Sequence, residues 1–165
     1  MSQLSPPPPH RAVVRPEWID YNRHMNLAYY VVVFDHATDD VMDWVGLDGA
    51  YRARARATTY VLETHVVYER ELTLGDPVVI DTRIVDHDVK RIHCFHQMRH
   101  ATEGFVAAST EILLLHVDRA STRAAPMPAP VLERLAYLQS LHRDAPLPAQ
   151  VGRRVGLRAG RPGVA

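Results

Sequence analysis

The chain has too little cysteine and too little net charge for several common classes of protein. Its single cysteine excludes an internal disulfide and leaves no cysteine cluster for a structural zinc site. A reducing compartment fits this count, and we expect a cytoplasmic protein. The 19 basic and 19 acidic residues cancel, so no strong attraction to nucleic acid or to an anionic membrane is expected.

Long apolar runs are missing too. No uninterrupted apolar stretch approaches the length of a membrane span, so we expect no membrane helix. The first residues lack a positively charged region followed by an apolar one, which is the pattern of a secretory signal. The ten histidines are scattered without a His-x-x-x-His pair on one helical face, and we expect no bound metal.

The length and composition predict a single domain with less ordered ends. A chain of 165 residues has room for one hydrophobic core. Residues 1–11 contain four consecutive prolines and are expected to be extended and disordered. Residues 143–165 are rich in arginine, proline and glycine, and we expect a disordered basic tail. The folded domain is therefore expected at residues 12–142.

Hydrophobic spacing predicts a long helix near the N-terminus. Apolar residues recur three and four positions apart from Leu27 to about Val45. Asn26 is suited to cap this helix, because its side-chain oxygen can accept a hydrogen bond from an amide of the first turn. Gly46 is a natural stop signal at the other end.

After residue 58 the hydrophobic period changes to two, which is typical of strands. Four strands are expected, at residues 58–72, 78–85, 91–100 and 105–117. A short strand at 12–15 precedes the helix, a connecting turn occupies 48–57, and a second helix at 131–141 ends the domain. This order predicts an α+β fold in which an antiparallel sheet wraps a central helix. The apolar edges of such a sheet favour pairing with a second copy.

The segment Asp20–Asn26, which reads Asp-Tyr-Asn-Arg-His-Met-Asn, is the candidate functional loop. It delivers a carboxylate to the start of the long helix, where free amide groups could stabilise an oxyanion. The alternative is a capped loop whose Asp and Asn side chains bond only the local backbone.

A strand, then Asp-x-Asn-x-His-x-Asn, then a long helix and a curled sheet resembles the hotdog-fold acyl-CoA thioesterases of the 4-hydroxybenzoyl-CoA thioesterase type. The resemblance runs from about Val13 to Asp118. The family's loop usually reads Asp-x-Asn-Gly-His, where the glycine allows a positive φ or a close approach of the substrate. Arg23 occupies the glycine position here.

A narrower resemblance is to the betainyl-CoA thioesterases of bacterial carnitine breakdown, which occur alone or joined to carnitine dehydrogenase. It is carried by four blocks, Glu17–Asn22, Glu63–His65, Gly75–Asp76 and Lys90–His93. The function this implies is hydrolysis of betainyl-CoA to glycine betaine and CoA. The alternatives are a thioesterase for another short or aromatic acyl-CoA, and a non-catalytic hotdog module that binds acyl-CoA.

The family resemblance also implies roles for residues of the loop and of the first long strand. Asp20 matches the catalytic aspartate, as general base or as nucleophile, and Asn26 lies at the helix start beside it. The amides near Leu27 are the expected oxyanion donors. Family sites lie between subunits of a homodimer or homotetramer, so Glu63 and His65 could reach the site from the other subunit.

The remaining roles concern bracing and substrate binding. His24 is expected to brace the loop, and an interface hydrogen bond is the alternative role for His65. A trimethylammonium group needs aromatic faces or carboxylates. The candidates are Trp18, Tyr21, Tyr29, Tyr60 and Tyr68, with Glu63 as a counter-charge and core packing as the alternative for each.

Three basic residues, Lys90, Arg91 and Arg99, could contact the CoA phosphates or lie in solvent. Coenzyme A would then be part of the substrate, and no separate cofactor is expected.

Overall fold

The computed structural model describes residues 5–156, and its helices and strands follow the expected order. The helices are α1 (Leu27–Val45), α2 (Gly49–Ala55) and α3 (Ala129–Ser140), with a 3-10 turn at Pro16–Trp18. The strands are β1 (His10–Val13), β2 (Ala57–Tyr68), β3 (Pro77–His87), β4 (Arg91–His100), β5 (Val106–Asp118) and β6 (Arg123–Ala124). The bounds of α1 and β4 are those predicted, and the other predicted elements are displaced by one to four residues.

Local signals define both ends of α1. The Asn26 side chain accepts a hydrogen bond from the Ala28 amide at 3.0 Å, which confirms it as the N-cap. Gly46 ends the helix with a φ of +99°, in the left-handed region that favours glycine.

The connection after α1 differs from the prediction, because a short helix, α2, replaces the expected turn at 48–57. Asp48 caps α2 by accepting a hydrogen bond from the Tyr51 amide at 2.7 Å. Tyr51 is buried, and its hydroxyl group lies 2.8 Å from His116 Nε2. This distant contact stabilises α2 and was not visible in the local sequence pattern.

The main strands form one antiparallel sheet in the order β1-β3-β4-β5-β2, with β6 paired to β5. One face of the sheet packs against α1 to form the core, and α3 packs against α1 and β3. This is the hotdog fold expected from the sequence. Strand β2 lies at one edge of the sheet, and Tyr60, Val61 and Leu62 on it are about half exposed.

A bulge changes which side chains share a face of β2. The register with β5 shifts between Val61 and Glu63. Val61 pairs with Leu114, which belongs to the core, whereas Glu63 pairs with Leu113 on the opposite, outer face. The period of two expected along this strand is therefore interrupted at the bulge.

The segment after α3 packs on the sheet as far as the structure describes it. The Arg83 guanidinium donates hydrogen bonds to the carbonyl oxygens of His142, Ala145 and Pro146, at 2.8 to 3.1 Å. Further along, the Gly152 amide donates to Glu111 at 2.7 Å. Over residues 143–156 these bonds replace the expected disordered tail, because side chains of the sheet satisfy its backbone groups. Residues 157–165 lie outside the described part.

The N-terminal end is also placed against the domain. Strand β1 begins at His10, two residues before the expected domain boundary, and pairs with β3. The prolines at positions 6–9 line a cavity together with residues of α1 and α3, so the described residues of this segment are not separate from the fold. None of the helices within residues 5–156 is both long enough and apolar enough to span a membrane.

One buried histidine is held neutral in the core. The Thr38 hydroxyl donates to the Phe34 carbonyl oxygen, so its oxygen accepts from His96 Nε2 at 3.0 Å. The Thr82 hydroxyl then donates to His96 Nδ1 at 2.8 Å. Complete burial lowers the pKa of His96 to about 4. The neutral imidazole thus has both ring nitrogens paired.

Candidate active site

The candidate loop is a tight hairpin immediately before α1. The Asp20 amide donates to the His24 carbonyl oxygen, and the Arg23 amide donates to the Asp20 carbonyl oxygen, both at 3.0 Å. A bridge between Ile19 and Met25 closes the base of the hairpin. Arg23 has a φ of +66°, a conformation that glycine adopts most easily. This explains why a glycine suits the position in the family loop.

The Asp20 carboxylate is only partly used by the local backbone. Its Oδ1 accepts a hydrogen bond from the Asn22 amide at 2.7 Å, which is the local contact considered as an alternative. Its Oδ2 has no hydrogen-bond partner among residues 5–156, and the side chain is half-buried. One oxygen therefore holds the side chain in place and the other remains available to a water or a substrate.

The start of α1 provides a free donor near this loop. The Asn26 amide donates to the Trp18 carbonyl oxygen at 2.8 Å, which holds the loop against the 3-10 turn. Asn26 therefore has a structural role as cap and anchor. The Leu27 amide has no acceptor within the described residues, so it can donate to an anionic oxygen at the positive end of the helix.

An open cavity of about 310 Å³ lies at this helix start. Its lining residues are Met25, Leu27, Tyr30, Tyr68, Glu69, Arg70 and Glu71. The Tyr68 hydroxyl donates to the Leu27 carbonyl oxygen at 3.2 Å, and the rings of Tyr30 and Tyr68 meet edge to face at 5.3 Å. His24 Nε2 lies 3.6 Å from Glu71 Oε1, which is consistent with the bracing role. Burial raises the pKa of both tyrosines, so they stay protonated.

Sequence reasoning identified Leu27 and Tyr68 in this cavity but missed Tyr30, Glu69 and Glu71. Tyr30 was assigned only to the apolar stripe of α1. The two glutamates follow β2 directly, in a stretch that was read as part of the strand. A shorter strand would have placed them in a connection beside the loop.

The other aromatic candidates lie outside this cavity. Trp18 is 6% exposed; its ring stacks on Tyr29 at 5.8 Å, and the Arg15 guanidinium lies 5.2 Å from its centre. Tyr21 is 93% exposed at the tip of the hairpin. Tyr60 is on the edge strand β2, half-exposed. Among the five aromatic candidates, Tyr68 alone lines the cavity at the start of α1.

Glu63 and His65 lie on the outer face of the sheet, away from α1. They line a second cavity of about 330 Å³, with His93, Glu111, Leu113 and the C-terminal residues 152–154. His93 Nε2 is 2.7 Å from Glu111 Oε1. Within one protomer, this group is separate from the Asp20 loop, and its predicted contribution from a neighbouring subunit stays a prediction.

The three predicted CoA-binding residues are spread along β4 and the turn before it. Arg91 pairs with Asp88 at 2.6 Å, and hydrogen bonds from Lys90 and Arg91 lower the pKa of Asp88 to about 2. Arg99 pairs with Asp81. Arg91 and Arg99 are eight residues apart on one strand, about 26 Å, so they cannot contact the same phosphate. Within residues 5–156 no three His, Cys, Asp or Glu side chains converge to hold a metal ion.

Comparison with known proteins identifies the family. The family model described as the thioesterase-like superfamily matches residues 14–135. The chain belongs to this superfamily. The match spans the hairpin, α1, the whole sheet from β2 to β6 and half of α3, so it includes every candidate residue named above. The predictions of the fold and of a thioester hydrolase are confirmed.

Two relatives of this thioesterase are the most informative in sequence. A betainyl-CoA thioesterase from Pseudomonas aeruginosa is 39% identical over 144 residues, which is 87% of this chain and 91% of the relative. An L-carnitine dehydrogenase/betainyl-CoA thioesterase from Agrobacterium fabrum is 36% identical over 152 residues, which is 92% of this chain and 30% of that longer protein.

A solved structure extends the comparison to a bound ligand. A hypothetical protein from Staphylococcus aureus, solved in complex with CoA, superposes with a TM-score of 0.86 at 26% identity. The match covers 95% of this chain and 100% of that structure. That relative binds CoA on the same fold.

Proposed function

We propose that this thioesterase hydrolyses betainyl-CoA to glycine betaine and CoA as a step of carnitine breakdown. The proposal is carried by the cavity at the start of α1, which combines aromatic rings, carboxylates and a free helix amide. The relatedness to a betainyl-CoA thioesterase over nearly the whole of both chains supports it.

The cavity has the chemistry that a trimethylammonium group requires. Tyr30 and Tyr68 contribute aromatic rings, and Glu69 and Glu71 contribute negative charge. A cation over an aromatic ring gains about 0.5–1 kcal/mol at an exposed site and about 2 kcal/mol when desolvated. Arg70 also lines the cavity, and its guanidinium packs over the Phe105 ring, 3.9 Å from the ring centre.

The reaction needs a group that activates water and a donor for the oxyanion. In this proposal Asp20 Oδ2 either takes a proton from the attacking water or attacks the thioester carbonyl carbon itself. The Leu27 amide donates to the carbonyl oxygen as it becomes negative. The carbon–sulfur bond then breaks. In the first route the CoA thiolate takes up the proton that Asp20 removed from water. In the second route the thiolate leaves a mixed anhydride on Asp20, and a water molecule hydrolyses this anhydride, which frees glycine betaine and Asp20 and supplies the proton of the CoA thiol. No separate cofactor takes part, because coenzyme A enters as part of the substrate.

The free edge of β2 supports an oligomer with its sites between subunits. Tyr60, Val61 and Leu62 leave apolar surface exposed on a strand whose outer edge is unpaired within the described residues. Antiparallel pairing of two such edges brings the Ala57 end of one β2 beside the Tyr68 end of the other. Residues of a second copy would thereby approach the start of α1. A cytoplasmic location fits the single reduced cysteine.

A panel of CoA thioesters tests the proposal. Free thiol released from betainyl-CoA should appear at least about tenfold faster than from acetyl-, butyryl- or 4-hydroxybenzoyl-CoA, since one cation contact is worth about 1–2 kcal/mol. A preference for a neutral ester would support thioesterase activity but exclude betainyl-CoA as the preferred substrate. Tight binding without thiol release from any ester would instead support a non-catalytic module.

A further inference from the structure

We propose that the cavity on the outer face of the sheet is a phosphate-binding site. In this site Arg153 and Arg154 recognise phosphate groups of the CoA portion of the substrate. The inference rests on the proposed function, because it assigns the nucleotide end of the same acyl-CoA. It names residues that lie at the C-terminal end of the described chain, apart from the three basic residues of β4 and its preceding turn.

Arg153 and Arg154 differ from Arg91 and Arg99 in having no carboxylate in the described part of the chain that compensates their charge. Arg91 and Arg99 are each paired with an aspartate, so their charge is already compensated. Arg153 and Arg154 have no ion-pair partner within residues 5–156, and both line the cavity. A guanidinium group presents a planar set of donors that matches the geometry of phosphate oxygens. Two adjacent and uncompensated guanidinium groups are suited to a ligand with more than one negative charge.

A hydrogen bond to the sheet holds both arginines over the cavity. Glu111 Oε2 accepts from the Gly152 amide at 2.7 Å, and the next two residues are Arg153 and Arg154. Gly152 has a φ of +73°, which side chains rarely allow. The backbone that leads into the two arginines is therefore placed by the sheet before any ligand arrives, which reduces the conformational cost of binding.

The acidic residues in the cavity leave room for an anion. Both oxygens of Glu111 accept hydrogen bonds, one from His93 Nε2 and the other from the Gly152 amide, so this carboxylate is already engaged within the chain. Glu63 has no such partner within the described residues. Glu63 is therefore the carboxylate of this cavity that is free to repel a bound phosphate, and its removal should strengthen binding.

His65 adds a hydrogen-bond donor to the cavity. Its Nδ1 is buried without a partner in the described part of the chain. A buried N–H without an acceptor costs more than an unpaired lone pair, so we assign the proton to Nε2. Nε2 is the nitrogen that can meet a ligand, and it would donate to a phosphate oxygen. A cavity of about 330 Å³ is within the usual range of ligand sites, roughly 300–1,000 Å³.

Calorimetric titration with adenosine 3′,5′-bisphosphate, a nucleotide fragment of CoA, tests the site without any hydrolysis. Arg153→Ala and Arg154→Ala should each weaken binding about tenfold, the scale of one charged hydrogen bond. Arg143→Ala is the matched control, because it removes the same charge from the same segment outside the cavity and should leave affinity unchanged. Equal affinities for all four proteins would overturn the proposal.

Two further variants test the sign of the charge and the role of the segment. Glu63→Gln should tighten binding of the bisphosphate, and weaker binding would contradict the repulsion assigned to Glu63. Gly152→Pro removes the amide and cannot adopt the observed φ, so it should release the segment and weaken binding as the arginine variants do. Unchanged binding by Gly152→Pro would exclude the positioning role. Inorganic phosphate is the second probe, and affinity equal to that of the bisphosphate would exclude nucleotide recognition.

Steady-state kinetics separate this site from the proposed reaction. The arginine variants should raise KM for a CoA ester about tenfold at constant kcat, and should hydrolyse the corresponding pantetheine thioester as the parent does. If both arginine variants turn over CoA esters with an unchanged KM, the proposed phosphate site is refuted and the proposed thioesterase activity is supported. If the parent protein releases no thiol, the proposed function is refuted. If the arginine variants nevertheless lose bisphosphate binding, the phosphate site is supported.

Discussion

Protonation of His96 should destabilise the fold below neutral pH, by an amount that follows from its burial. The ring lies between Thr38 and Thr82, accepts from the Thr82 hydroxyl group and donates to Thr38 Oγ1. A second proton would place a full charge on a completely buried ring and would require the Thr82 hydroxyl group to turn from donor to acceptor. Its pKa falls from 6.5 to about 4 in the folded state. At 1.36 kcal/mol per pH unit, this difference corresponds to about 3 kcal/mol of folding free energy.

The direction of the effect follows from which state binds the proton. Between pH 6.5 and about 4 the unfolded chain takes up a proton at this histidine and the folded protein does not. Stability from this group is therefore complete above pH 6.5 and decreases as the pH falls through that interval. Only below about pH 4 does the folded state also bind the proton, and the loss then levels off.

Urea unfolding at half-unit pH steps from 7.5 to about 4 measures this term. His96→Gln is the matched variant, because its amide can donate and accept at the same two positions but does not titrate in this range. The free energy of unfolding of the parent, minus that of the variant, should decrease by about 3 kcal/mol on acidification. A difference that stays constant over the whole interval would refute the assignment of a neutral, fully paired His96.

Three other predictions concern the site and the assembly. Asp20→Asn should fold normally and lower turnover in the thiol-release assay by at least about a hundredfold, the scale of losing a positioned base; unchanged turnover would remove Asp20 from the mechanism. Arg23→Gly should raise the free energy of unfolding by about 0.5–1 kcal/mol, because glycine relieves the φ of +66°; a lower urea midpoint would contradict the strained-turn argument. Leu62→Lys on the β2 edge should weaken self-association about a hundredfold in sedimentation, since each dimer would lose two buried leucines worth about 1.5 kcal/mol or more each. Leu74→Lys, in an exposed turn, is its control, and an equal effect of the two substitutions would exclude β2 as the interface.

The elements predicted correctly from the sequence are those specified by short-range chemistry. Both ends of α1 matched the prediction because a capping side chain and a left-handed glycine act within a few residues. Strand β4 matched because turns punctuate it on both sides. The loop was identified as the candidate site because its acid, its amides and the following helix are contiguous in the chain.

Side chains that meet from distant positions escaped this reasoning. The α2 helix depends on Tyr51 reaching His116, and the path of residues 143–156 depends on Arg83 and Glu111. The arginines expected to contact CoA are each paired with an aspartate, and for Arg99 the partner is on the neighbouring strand. Such ion pairs form when strands align in the folded sheet, so the amino-acid composition of the chain does not reveal them.

The fold class, the position of α1 and the candidate loop follow from the order of residues, because caps, turns and hydrophobic periods act over a few positions. The faces of β2 and the companions of each site residue depend on the folded sheet. One additional residue at Leu62 shifts the register and turns Glu63 and His65 to the outer face. A local pattern cannot specify that shift, because it results from pairing with β5, which lies about fifty residues away in the chain.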